Sequence, residues 1–136
     1  MTTATLNKTP RTLVAAGTSN AAGATTRGTV DLRTALPGSF LTYRITNGTT
    51  GPTVQCTAQI LVAHNSGSTP TAASEGTDWK RVGSAVGGGT TNNTISSWSY
   101  EVPAGVMHLE IEFTGNTGQA VTVEAFLSEV TSATDA

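Results

Sequence analysis

The chain is poor in the residues from which catalytic and metal centres are built. Its 136 residues include one cysteine and two histidines, and only 12% are charged. A lone Cys56 excludes an intrachain disulfide framework and a cysteine-rich zinc site. It lies on the alternating run Val54, Cys56, Ala58, Ile60, Val62, the place of a small buried side chain rather than a nucleophile. With His64 and His108 the only imidazoles, no paired-histidine pattern for a metal can be drawn, and no serine sits in a Gly-x-Ser-x-Gly elbow. Acid pairs for glycoside cleavage can be picked from Asp31, Glu75, Asp78, Glu101 or Glu110, but nine carboxylates always allow some pairing. A net charge of −2 speaks against broad nucleic-acid binding, which needs clustered Lys and Arg. No run approaches the ~20 apolar residues of a membrane helix, and the first residues lack the basic and apolar regions of a secretion signal. The expectation is a non-enzyme, made in a cytoplasm, without cofactor, metal, nucleic acid or membrane as partner.

Threonine fills much of the space that charge leaves. The chain has 27 Thr and 11 Ser, a hydroxyl-rich, β-branched bias that suits pleated strands with polar outer faces. The plainest signal runs from Val106 to Val130. Met107, Leu109, Ile111 and Phe113 alternate with His108, Glu110 and Glu112; after Gly115-Asn116-Thr117-Gly118, Val121, Val123, Ala125 and Leu127 alternate with polar or mixed neighbours. Two runs around a glycine-flanked turn read as a β-hairpin with one dry and one wet face.

Further strands are expected at Thr26 to Arg33, Phe40 to Asn47, Thr53 to His64, Trp79 to Val86 and Thr94 to Val102, with a short one near Thr12 to Ala15. Pro37-Gly38, the stretch 47–52, the polar loop 65–77 and Gly87-Gly88-Gly89 punctuate them. About eight strands without a helix predict an all-β antiparallel β-sandwich of jelly-roll type, with a closed barrel as the competitor. Residues 1–24 stand apart as an extended N-terminal arm, 25–131 form the sandwich domain and 132–136 a short C-terminal tail. The arm has too few large aliphatics to fold alone, so it is either disordered or laid on a neighbouring subunit.

Charge is unevenly spread. Residues 1–68 carry five cations and one carboxylate, about +4, and residues 69–136 carry two cations and eight carboxylates, −6. Either these strands become neighbours and neutralise each other within one sandwich, or opposite patches on adjacent copies attract. His108, Glu110 and Glu112 share a strand face and would hold a metal only if other elements completed the shell; otherwise they form the wet side of a strand. Trp98 and Tyr100 also share a face. Outward, they would make a platform for sugars; inward, they fill the core.

Four segments carry a family resemblance: Arg27-Gly28-Thr29-Val30-Asp31-Leu32-Arg33, Leu41 to Gly48, Val102 to Glu110, and Gly118 to Ala125. They resemble small structural proteins of tailed bacteriophages over most of residues 24–131. The resemblance implies a capsid decoration or cement protein: a β-sandwich bound in many copies, as dimers or trimers, to the outer surface of the virion head, clamping the major capsid protein. On that expectation Leu6, Leu13 and Val14 of the arm anchor apolar capsid contacts, while Lys8 and Arg11 meet acidic capsid groups. The alternative is a host-glycan or receptor-binding adhesin of a tail, fibre or head surface, using Trp98 and Tyr100.

Overall fold

Alternation of apolar and polar residues obliges each strand to bury one face, and eight such strands satisfy one another by stacking as two sheets. A computed structural model describes residues 4–71 and 77–135. The strands are β1 (Ala4–Asn20), β2 (Thr26–Asp31), β3 (Leu36–Asn47), β4 (Thr57–Ala63), β5 (Lys80–Gly87), β6 (Ile95–Glu101), β7 (His108–Thr114) and β8 (Val121–Asp135). The front sheet has the order β1-β8-β3-β6, the back sheet β2-β7-β4-β5, and every pairing is antiparallel. This is the expected β-sandwich, with jelly-roll connectivity.

Between the sheets Leu41, Ile45, Val123 and Leu127 of the front meet Ile60, Leu109, Ile111 and Phe113 of the back in one apolar cluster. Burial of each such side chain contributes about 1.5–3 kcal/mol before entropy is counted. Cys56 lies in this cluster with no exposed surface, as expected; burial pushes its thiol up to about 11, so it stays protonated.

Two expectations are corrected. Residues 107–113 and 121–127 do not form a hairpin, because β7 belongs to the back sheet and β8 to the front. The Gly115–Gly118 turn is an arch: Gly115 and Gly118 take φ of 94° and 81°, and the chain crosses from one layer to the other. Both runs keep their dry faces, now turned toward each other.

The segment set apart as an arm is the second. Residues 4–20 are extended, as expected, but they form β1, whose register against β8 runs from Ala4↔Asp135 to Asn20↔Val121. The proposed tail is the other half of the same ladder; positions 1–3 and 136 lie outside the described residues. Bulges between Asn7/Lys8, Thr12/Val14 and Val14/Thr18 bend β1 along the way. At Leu13 its backbone runs so close to β2 that a Cβ on Gly28 would stand 2.7 Å from the Leu13 carbonyl oxygen, so β1 also closes one open side of the sandwich.

Candidate interaction surface

β8 has neighbours on both sides only as far as Val130, the residue opposite Leu36 of β3. Beyond that point the ends of β1 and β8 continue as a two-stranded ribbon, with Leu6 opposite Ala133 and Asn7 opposite Ser132. Nearly all its side chains are exposed, and Leu6 shows 55% of its surface. Hydroxyls and amides hold it across the strands: Asn7 Nδ2 donates to Ser132 Oγ and Thr134 Oγ1, both at 2.9 Å. A ribbon of two strands gains little from burial, so its free surface is its main property.

The five arm residues separate along β1. Leu6 is exposed on the ribbon and Lys8 is exposed at its base, opposite Val130. Arg11 meets Glu129 at 3.0 Å and so already has an acidic partner within its own chain. Leu13 is half-buried against the core, and Val14 belongs to it. An amphipathic spacing could not separate these roles, because bulges reset the side-chain alternation.

The same intrachain neutralisation recurs elsewhere. Arg27 faces Glu112 at 3.3 Å and Glu110 at 3.9 Å, and Arg44 faces Glu124 at 3.5 Å. Cations of the first half thus meet carboxylates of the second across the β2–β7 and β3–β8 ladders. The more exposed of these, Arg44–Glu124, contributes about 0–1 kcal/mol.

Trp98 and Tyr100 point toward the core and are half-buried against it, with the Trp98 ring stacked on Tyr43 at 5.6 Å and 26°. They do not form an outward platform. Trp79 is buried too, in a small second core with Leu61 and Ala63.

That second core lies on the outer face of the back sheet, where a wet surface was expected. The segment after β4 folds over it instead. His108 Nε2 lies 2.9 Å from the Asn65 carbonyl oxygen, Arg33 Nη1 donates to the Ser66 carbonyl at 2.7 Å, and Trp79 Nε1 donates to the Thr71 carbonyl at 3.0 Å. His108 and Glu110 are consequently buried and Glu112 half-buried. Burial pushes the Glu110 carboxyl up to about 7; Arg27 opposes this and Glu112 adds to it. Glu110 Oε1 has no hydrogen-bond partner. Asp31 moves the other way, since hydrogen bonds from Arg33 hold its carboxyl well below the usual range. A cavity of about 280 Å³ lies under the covering segment, lined by Thr29, Val30, Asp31, Thr69, Pro70, Trp79 and His108.

The outer face of the front sheet is open. Register places Lys8 and Leu36 in one row, Pro10, Ser128, Phe40 and Glu101 in the next, and Thr12, Phe126, Thr42 and Ser99 in a third. Phe40 is 44% exposed and Leu36 37%. Sequence reading missed this face because its apolar members come from separate strands and only pairing lines them up.

No family model matches the chain, and no curated protein does. Among solved structures it is similar to the K3 cleaved adhesin domain of Lys-gingipain from Porphyromonas gingivalis, with 14% identity over 82% of this chain and 72% of that one and a TM-score of 0.51. It is also similar to the SPBc2 prophage-derived protein YomS, with 22% identity over 94% and 96% of the two chains and a TM-score of 0.45. A family 16 carbohydrate-binding module aligns at 8% identity over 87% and 74%, with a TM-score of 0.44. At 14% identity the likeness to the adhesin domain concerns the β-sandwich fold alone.

Proposed function

We propose that this protein is a non-catalytic structural component of a tailed-phage particle, a decoration or cement protein that binds the outer surface of the head and stabilises the major capsid protein lattice. The observation that carries this reading is the terminal ribbon. Residues Ala4–Asn7 and the end of β8 beyond Val130 form an ordered element with almost no core of its own, and it presents an exposed leucine, Leu6. The phage-like segments of β2, β3, β7 and β8 support the particle context. Many copies on a lattice add weak contacts through multivalency, and binding to the lattice in preference to free subunits stabilises the assembled shell by mass action. Of the expected anchors, Leu6 fills this role; Lys8 stands at the base of the ribbon, and Leu13, Val14 and Arg11 serve the chain's own fold.

The test is reconstitution on undecorated heads with occupancy read by cryo-EM. Wild-type protein is expected as ordered density on the shell exterior, and a variant lacking residues 2–9, which keeps Val14 and Asn20, should lose most of its occupancy. Full occupancy by that variant removes the ribbon from the mechanism; no wild-type density on heads removes the cement role.

A further inference from the structure

The proposed head-binding role leaves the open face of the front sheet unexplained. Sheet continuation at β1 is discouraged by the edge itself: Pro10 has no N–H to offer, and bulges interrupt the strand on both sides of it. The flat face offers more than the edge, since Leu36, Phe40 and Phe126 come together there around the short side chains of Thr42 and Ser128.

We propose that this face is the contact between two copies of the chain, stacked face to face about a two-fold axis parallel to the strands and running between β8 and β3. Charge placement selects this partner and this axis. The axis lays β1 over the partner's β6 and β3 over the partner's β8. Lys8 on β1 then comes over the partner's Glu101, and Arg44 on β3 over the partner's Glu124, each contact occurring twice. Among the described residues neither Lys8 nor Glu101 has an ion pair within its own chain, whereas Arg44 and Glu124 are paired with each other and would extend into a four-charge cluster. The charges on this face thus have a partner of opposite sign reflected across one line, with the apolar residues along that line. A self-complementary patch of this kind is what a two-fold dimer needs.

Lys8 and Glu101 lie one same-face row apart, about 7 Å, which a lysine stem can span. Four strands at about 4.8 Å spacing give a face of roughly 500 Å² per copy. That is below the ~800 Å² per partner of a standard interface, so the dimer is weak in solution and gains from being held at high local concentration.

Sedimentation velocity on the full chain, without capsid, tests this inference separately from the cement role. Wild type is expected to move from monomer toward dimer as concentration rises through the micromolar to millimolar range. Phe40→Arg and Thr42→Arg, both at exposed positions, should leave a monomer with an unchanged thermal melt. Lys8→Glu or Glu101→Lys alone should weaken association by roughly tenfold, and the double exchange should restore it. A wild type that stays monomeric throughout, a dimer indifferent to Phe40→Arg and Thr42→Arg, or a double exchange as weak as the singles would each overturn the proposal.

Discussion

Two buried polar side chains show how differently such groups behave when satisfied and when not. Asn116 lies in the arch between β7 and β8, fully buried. Its Nδ2 donates to the carbonyls of Asn20 and Gln119 at 3.0 Å, and its Oδ1 accepts from Asn20 Nδ2 at 2.6 Å. It therefore ties the end of β1 to the crossing between layers. Asn116→Ala would leave several backbone groups unpaired, and a loss of about 2–4 kcal/mol is expected in chemical denaturation. Glu110 is the opposite case, 1% exposed with one oxygen that accepts no hydrogen bond. Its carboxyl titrates near 7 in the fold and near 4.5 when unfolded. The folded state thus holds the proton more tightly, and the stability from the neutral form is complete below pH 4.5 and lost as pH rises through about 7. Glu110→Gln should abolish that decline and gain roughly 1–3 kcal/mol at pH 8, read from urea midpoints across pH. A wild-type midpoint that is flat from pH 5 to pH 8 would contradict the assignment.

β8 is the element on which the front sheet depends. It lies between β1 and β3 and pairs with both along much of its length. Residues 2–20 are equally more than an appendage, since they supply Val14 to the core and Asn20 to the buried amide cluster. Removing them is expected to cost the cooperative thermal transition, whereas removing residues 2–9 should shift it by only a few degrees; calorimetry separates the two. Pattern in the amino acids made most of the strands after β1 readable, because apolar and polar residues alternate along them even where, as in β7, both faces end up buried. β1 was not readable as a sheet strand over its first half, since residues 5–12 are exposed on both faces and leave no alternation to detect. What orders them is a ladder to residues more than a hundred positions away, and local composition carries no trace of it.

For the molecule as a whole, the number of strands and the inward-facing residues followed from alternation, while the assignment of strands to layers did not. A glycine-flanked turn between two half-apolar runs serves equally to fold them side by side or to face them across a core, and only the competition among all eight strands decides. The burial of His108 and Glu110 was hidden for a related reason: the 64–79 connection, polar in composition, carries Trp79 at its end and lays it over the back sheet. The exposed face of the front sheet likewise exists only once β1, β8, β3 and β6 are side by side.

The pairing of Ala4 with Asp135 gives the molecule a mechanical polarity. Tension on the two chain ends pulls at right angles to the strands and opens the ladder rung by rung, starting where strand pairing and a few exposed polar side chains are all that resist. A load spread over the broad faces presses the two sheets together and opens no rung in sequence. The molecule therefore resists force that enters through its faces and peels when it is tugged by its ends.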